Sequence, residues 1–205
     1  MPSSSRDRRL GYNDRTDMSD KKNAPDTNRE FEEVIEACRA LYVKKLQDYG
    51  ASWRIMRPES LTDQIFIKAK RIRSIETKGV SLIDEGIKSE LIGIVNYGII
   101  ALIQLEHGFS DTVDKDADWA LKEYDKYSKA ALDLMKKKNH DYDEAWRGMR
   151  TTSYTDLILT KINRTKEIES HEGKTVVSEG IDANYMDMIN YAVFGLIKIQ
   201  EQSIG

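Results

Sequence analysis

A chain of 205 residues with a formal net charge of −3 is long enough for one or two small domains and has no global basic field. Without such a field, we expect no strong binding of duplex DNA through its phosphates. The single cysteine excludes a disulfide framework within the chain. Together with the lack of an apolar leader at the N-terminus, this favours a cytoplasmic location.

The N-terminal part of the chain predicts a tail followed by a helix. Residues 1–28 hold two of the three prolines and very few apolar groups, a composition typical of a disordered N-terminal tail. Apolar residues then recur at three- and four-residue spacing between Phe31 and Leu46, which predicts an amphipathic helix. Gly50 and Pro58 bracket a predicted loop after this helix.

Two further helices complete the first set of three. One is predicted to begin at Ser60 and to end near Gly79, and the next to run from about Ser81 to His107. The uncharged stretch of residues 91–105 within that helix is shorter than the ~20 residues that cross a bilayer. We therefore expect a helix buried on most sides and no association with a membrane.

The same order of elements returns later in the chain, and no alternating apolar pattern predicts a strand. Because each repeat alone is near the lower size limit for folding, the two are expected to pack together. The predicted fold is all-α, with two tandem three-helix repeats forming one six-helix unit of approximate internal two-fold symmetry. The predicted segments are repeat 1 at residues 29–107, a linker at residues 108–114 and repeat 2 at residues 115–205.

Both repeats carry the same polar motifs, displaced first by 93 and then by 94 residues. Packing alone tolerates swaps among apolar residues and does not preserve polar ones, so the retained polar residues indicate a doubled binding surface. The retained candidate ligand residues are Asp48, Tyr49, Trp53, Arg54, Arg57, Lys68, Arg71 and Asn96 in repeat 1, and Asp141, Tyr142, Trp146, Arg147, Arg150, Lys161, Arg164 and Asn190 in repeat 2.

The aromatic and basic residues beside the two predicted loops suit a nucleotide ligand. An aromatic ring stacks on a base, and a guanidinium group binds phosphate through two donors. Trp146 and Tyr142 are therefore predicted to stack a base, and the nearby arginines to bind phosphate. The alternative is structural, with Trp and Tyr filling the joint between two helices while Arg and Asp form ion pairs.

The strings Ser60-Leu-Thr-Asp63 and Ser153-Tyr-Thr-Asp156 precede apolar runs. Serine followed three residues later by an acid is the signature of a capping box, which satisfies free amides at the start of a helix. We therefore predict that each serine caps its helix. Asp156 is also a candidate ligand residue.

A basic pair occupies the second helix of each repeat. Lys68 and Arg71, like Lys161 and Arg164, fall within about 60° of each other at ~100° per residue. The pattern favours either a phosphate site or a solvated charged face, and the sequence leaves both open.

The last helix of repeat 2 carries an acidic side. Glu179, Asp182, Asp187 and Asn190 project to the same side of the helix at ~100° per residue. Carboxylate and amide oxygens are the ligands that hard divalent cations prefer, so the three acids predict a site for Mg or Mn, with Asp187 and Asp182 as catalytic candidates. Repeat 1 has Gly93 in place of Asp187, which assigns this chemistry to repeat 2. A charged solvent face is the alternative.

The most specific strings in the chain are Asp48-Tyr-Gly-x-x-Trp53-Arg, Ser60-Leu-Thr-Asp-Gln-Ile-Phe-Ile-Lys68-Ala-Lys-Arg71-Ile-Arg, Glu85-Gly and Asn96-Tyr97. In combination they resemble the nucleotide modification associated domain 1 family, formerly a domain of unknown function. The resemblance covers both repeats, roughly residues 30–202. It implies a helical fold, a tandem arrangement and a link to modified nucleotides or DNA bases, and it implies no catalytic residue.

These observations lead to two hypotheses. The first is a nucleotide- or nucleobase-binding protein linked to nucleotide or DNA-base modification, extended by metal-dependent nucleotide processing in repeat 2. The second is a non-catalytic helical adaptor that binds a protein partner or single-stranded nucleic acid. The sequence does not decide whether the protein is an enzyme.

Overall fold

The computed structural model describes residues 26–79, 86–177 and 179–204, and no strand occurs in these ranges. The helices are α1 (Thr27–Tyr49), α2 (Pro58–Lys78), α3 (Ile87–His107), α4 (Ala117–Tyr142), α5 (Thr151–Ser170) and α6 (Ile181–Ile204), with short 3-10 turns at Ser52–Ile55 and Ala145–Gly148. The prediction of an all-α fold built from two three-helix repeats is confirmed. Most of the predicted tail, the predicted helix start at Ser81 and Glu85 lie outside the described residues.

The third helices of the two repeats, α3 and α6, pack against each other at the centre of the molecule. Gly98 lies where they cross, because a Cβ atom there would come within 2.7 Å of Ile189 Cγ1. α3 is the one described helix long and apolar enough to cross a membrane by length and composition, and 67% of its most apolar window is buried inside the protein. Ile94, Ile99 and Ile103 are fully buried, as expected of a core helix.

The second helices begin earlier than the sequence predicted. Pro58 is the first residue of α2 and follows Arg57, while α5 begins at Thr151. Proline suits this position because its fixed φ fits the first turn and its missing N–H would have no helical partner. Ser60 and Ser153 therefore lie within the first turn, and the prediction that they cap these helices is wrong.

The motif residues of α2 and α5 bind the opposite repeat. The Thr62 hydroxyl of repeat 1 donates to Glu169 of repeat 2 at 2.7 Å, and the Thr155 hydroxyl of repeat 2 donates to Glu76 of repeat 1 at 2.8 Å. The four positions are related by the 93-residue register. Each repeat thus gives the other the same hydrogen bond, as an internal two-fold requires.

An ion pair flanks each of these bonds. Lys166 of repeat 2 lies 2.6 Å from Asp63 of repeat 1, and Arg73 of repeat 1 contacts Asp156 of repeat 2. We call the two hydrogen bonds and two ion pairs the inter-repeat clasp. Asp156, predicted as a ligand residue, belongs to this clasp because its carboxylate faces the neighbouring repeat.

The two clasp glutamates make stability depend on pH. Burial disfavours their charged form and raises the pKa of both Glu76 and Glu169 above the ordinary 4.5, although the threonine hydroxyls oppose the rise. At pH values just above 4.5, the folded protein keeps protons that the unfolded chain has lost. These two glutamates therefore contribute a fall in the free energy of unfolding as the pH rises through that window.

The double substitution Glu76→Gln and Glu169→Gln should remove this fall and leave the protein at least as stable as the wild type at neutral pH. Glutamine carries no charge to desolvate, and its Oε1 still accepts from threonine. Urea unfolding across the acidic to neutral range measures the effect. Glu167→Gln, at an exposed position of α5, should keep the wild-type slope, and an unchanged slope in the double variant would contradict the assignment.

Candidate functional site

Side chains of the third helices hold the two 3-10 turns in place. Gln104 on α3 donates Nε2 to the carbonyls of Trp53 and Met56 at 3.2 and 2.7 Å. At the equivalent place in repeat 2, Lys198 on α6 donates to the Arg147 carbonyl at 2.9 Å. Each turn therefore places its tryptophan against the third helix of its own repeat.

Each repeat contains a cavity beside its 3-10 turn, between its first and third helices. The first cavity has a volume of about 740 Å³ and the second about 420 Å³. Equivalent positions line both, as the register requires. In repeat 1 these are Tyr42, Lys45, Trp53, Met56, Asn96 and Tyr97, and in repeat 2 they are Met135, Lys138, Trp146, Met149, Asn190 and Tyr191.

Four buried polar atoms of the second cavity have no hydrogen-bond partner among the described residues. They are Nδ2 and Oδ1 of Asn190, Oδ1 of Asn139 and Nε1 of Trp146. Buried polar groups in native proteins are nearly always bonded, because leaving them unpaired costs free energy. Four of the five such atoms among the described residues belong to side chains that line the second cavity, and the fifth, Trp53 Nε1, belongs to one that lines the first.

The equivalent asparagine of repeat 1 is fully engaged. Asn96 donates Nδ2 to the Cys38 carbonyl at 3.1 Å and accepts from the Tyr124 hydroxyl at 2.8 Å. The 93-residue register places Phe31 at the position equivalent to Tyr124, and Phe31 has no hydroxyl to donate. Asn96, a predicted ligand residue, is thus structural, whereas Asn190 keeps a free amide.

The acid of the second cavity is held by two lysines. Asp187 is 5% exposed, with Lys138 Nζ 2.5 Å from Oδ1 and Lys161 Nζ 2.6 Å from Oδ2. Burial disfavours the Lys138 ammonium, but the bond to Asp187 and the nearby negative charges of Asp187, Tyr191 and Glu179 together outweigh burial and raise the Lys138 pKa. Burial also raises the pKa of Tyr191, which lines the same cavity.

In repeat 1 a different acid pairs with the lysine of the second helix. Lys68 lies 3.3 Å from Glu90, which also contacts Arg71. The acid of repeat 2 is replaced by Gly93, and a Cβ atom there would come within 2.6 Å of Lys68 Cε. Lys68 thus fills the space above Gly93. Lys68 and Arg71, predicted to bind phosphate, bind Glu90 instead.

The predicted metal site is not formed. Asp187 is occupied by lysines, and Glu179 and Asp182 are exposed. Among the described residues, the acids and histidines close enough to share an ion are Glu106, His107 and Glu123. None of the three predicted metal ligands is in this group. Glu179, Asp182 and Asp187 therefore do not form a group that could share one Mg or Mn ion as the described residues are arranged.

The group of Glu106, His107 and Glu123 is part of an ion-pair network. Lys126 Nζ lies 2.5 Å from Glu106 and 3.6 Å from Glu123, and His107 Nε2 lies 3.0 Å from Glu123. A lysine between the two carboxylates already supplies their positive charge, so the group carries no metal assignment.

Arg54, predicted to bind phosphate, holds the connection between the repeats. Its side chain is 3% exposed, and its Nε lies 2.8 Å from Asp114. Its Nη1 donates to the Gly108 carbonyl at 2.6 Å and contacts Gln104. The Arg54 carbonyl accepts from the Ser110 amide at 2.9 Å. The structural alternative, in which Arg and Asp pair, therefore describes this residue.

Arg147 has the equivalent structural role at the ends of the fold. It lies 2.5 Å from Glu144 and 2.6 Å from Glu201 of α6, and it also contacts Glu30 of α1. In repeat 2 this arginine therefore joins the first and last helices of the described chain. With three carboxylates around it, Arg147 is not available for a phosphate.

The indole faces of Trp146 are covered. The Phe194 ring stacks on it at 4.3 Å between centroids, and the Arg147 guanidinium lies 4.4 Å from its centroid. Two groups at that distance cannot share one face, so a base has no face of Trp146 to stack on. The stacking prediction for Trp146 is therefore wrong, although the residue does line the second cavity. Tyr142 lines the cavity and is 70% exposed.

The remaining candidates lie at the surface. The two Asp-Tyr pairs end α1 and α4 instead of lying in loops, because the helices continue to Tyr49 and Tyr142. The exposed candidates include the two aspartates of these pairs, Asp48 and Asp141, and three arginines, Arg57, Arg150 and Arg164. Three lining residues of the second cavity, Lys138, Asn139 and Tyr191, are not among the residues predicted from the sequence. Lys138 and Tyr191 could have been found, because the register pairs them with identical residues in repeat 1, Lys45 and Tyr97.

The sequence model of one protein family, described as nucleotide modification associated domain 1, matches residues 45–105 and again residues 138–199. The two segments cover more than half of the chain, one in each repeat, and confirm the predicted tandem arrangement. No curated protein matches the chain, and no solved structure does.

Proposed function

The chain belongs to the nucleotide modification associated domain 1 family, and on that premise we propose that the second cavity binds a nucleobase, within a nucleoside or nucleotide. The Asn190 carboxamide carries the proposal, because it is 4% exposed and neither of its polar atoms has a partner among the described residues. An unpaired buried group costs ~1–3 kcal/mol. A base edge with a donor beside an acceptor complements this amide and removes that cost.

The rest of the second cavity suits a flat, mostly apolar ligand with a polar edge. Its volume of about 420 Å³ lies in the ordinary range for small-molecule sites. Met135, Met149 and Leu157 supply apolar walls, and Tyr142 and Tyr191 supply aromatic rings of the kind that stack on bases. Because two lysines hold Asp187, we assign it no catalytic step.

A calorimetric screen of free nucleobases and deoxynucleosides against the full chain tests the proposal. One or more should bind, and Asn190→Leu should weaken that binding about ten- to a hundredfold, because the base edge loses a two-point contact. Asn163→Leu, at an exposed position of α5, is the matched control and should bind as the wild type does. The proposal fails if no base or nucleoside binds, or if Asn190→Leu binds as tightly as the wild type.

A further inference from the structure

The second cavity has a surplus positive charge beside it. Lys138 and Lys161 share the single carboxylate of Asp187 at 2.5 and 2.6 Å, so these three side chains together carry one positive charge. The exposed Glu179 also acts on Lys138, without forming an ion pair with it. A charge in a half-enclosed site acts on a ligand more strongly than one at an open surface. The second cavity is therefore suited to a ligand that brings negative charge.

The exposure of the three side chains shows which one faces the ligand. The side chain of Asp187 is 6% exposed, that of Lys161 13% and that of Lys138 45%. Lys138 can turn towards a ligand while Lys161 keeps Asp187 paired, so no buried carboxylate is left alone. Lys138 is the more exposed of the two lysines and lines the cavity, whereas Lys161 is mostly buried.

Repeat 1 supplies an internal comparison for Lys138. The equivalent Lys45 lines the first cavity, but Gly93 replaces the aspartate there and Lys68 pairs with Glu90. Lys45 forms no ion pair within the described part of the chain. A lysine thus occupies this position in both cavities, although the carboxylate that lines the first cavity, Glu90, pairs with Lys68 instead. Within the described residues, the presence of this lysine does not depend on an ion pair, as suits a lysine that meets a ligand.

From these contacts we propose that the second cavity binds a phosphorylated nucleoside, with the phosphate at Lys138 and the base at Asn190. The proposal rests on the base site proposed above and adds the anionic group. Arg164, exposed on α5, lies close enough to Tyr191 for its charge to act on that phenol, and it adds a second cation on this side of the cavity.

Titration calorimetry with three kinds of probe tests the inference: the four deoxynucleosides, their 5′-monophosphates and inorganic phosphate. For the base that binds, the monophosphate should bind about tenfold more tightly than the nucleoside, because a charge-assisted contact is added. Added salt should reduce the difference. Lys138→Met should remove the preference, weakening the monophosphate about tenfold more than it weakens the nucleoside. Lys45→Met, the same change at the equivalent position, should keep the preference.

Each contrary result has one meaning. Nucleosides that bind as tightly as their monophosphates would overturn the phosphate contact and leave the base site standing. Equal weakening of both ligands by Lys138→Met would overturn Lys138 as the phosphate residue. Inorganic phosphate that binds as tightly as the monophosphate would assign the anion to a free ion. No binding of any probe would overturn the base site as well.

Discussion

Asn96→Leu is expected to lower the free energy of unfolding by about 2–3 kcal/mol, whereas the equivalent Asn190→Leu is expected to leave it unchanged or raise it. The first substitution removes the partners of the Cys38 carbonyl and the Tyr124 hydroxyl, both inside the core. The second replaces an amide that has no partner among the described residues with an apolar group of similar size. Urea unfolding of both variants without ligand measures the difference.

Tyr124→Phe provides the control for this pair. It removes one hydroxyl and gives repeat 2 the residue that repeat 1 has at the equivalent position, Phe31, so it should cost about 1 kcal/mol. If both asparagine variants lost the same stability, Asn190 would have a partner within the folded chain, and the case for a ligand at its amide would end.

Arg54→Met is expected to lower the free energy of unfolding by about 3–5 kcal/mol, the effect of removing one partner from a buried charged network. The change leaves Asp114 without its cation and frees the Gly108 carbonyl and Gln104 from their shared donor. The connection between the repeats then loses its anchor. Thermal unfolding, followed by circular dichroism, measures the loss.

Arg57→Met is the matched control, because Arg57 is exposed and lies three residues further along the chain. Surface substitutions of this kind change stability by about 0.5 kcal/mol or less. A stable Arg54→Met protein that had lost nucleotide binding would reverse the assignment and restore the phosphate role that the sequence pattern suggested.

Most of the fold follows from the sequence because helical periodicity and duplication are both visible in it. Apolar spacing predicted the helices, and glycine marked the end of α2 at Gly79. The starts of α2 and α5 were misplaced because Ser60 and Ser153 match a capping pattern whose polar residues serve another purpose. Thr62 and its equivalent bind across the repeats, and no local pattern distinguishes a hydroxyl that caps its own helix from one that binds a neighbour.

The candidate site was less predictable because it depends on which polar groups find partners. Asn96 and Asn190 are identical in type and register, and only the fold shows that one is bonded and the other is not. The sequence carries one sign of this difference between the two asparagines. Repeat 1 has Phe31, without a hydroxyl, at the position where repeat 2 has Tyr124. The role of the arginines could not be predicted for a related reason. Arg54 forms an ion pair with Asp114, 60 positions away, and no local motif reveals such a pair.

The reciprocal clasp has a consequence for how the halves recognise each other. Each repeat offers a threonine donor and a glutamate acceptor, flanked by one acid and one base, and receives the same set in return. Such a surface is self-complementary, as in a homodimer with two-fold symmetry. Its polar contacts would fit a second copy of the same half as well as they fit the other half. The covalent connection held by Arg54, by keeping the effective concentration of the attached half high, decides which partner is chosen.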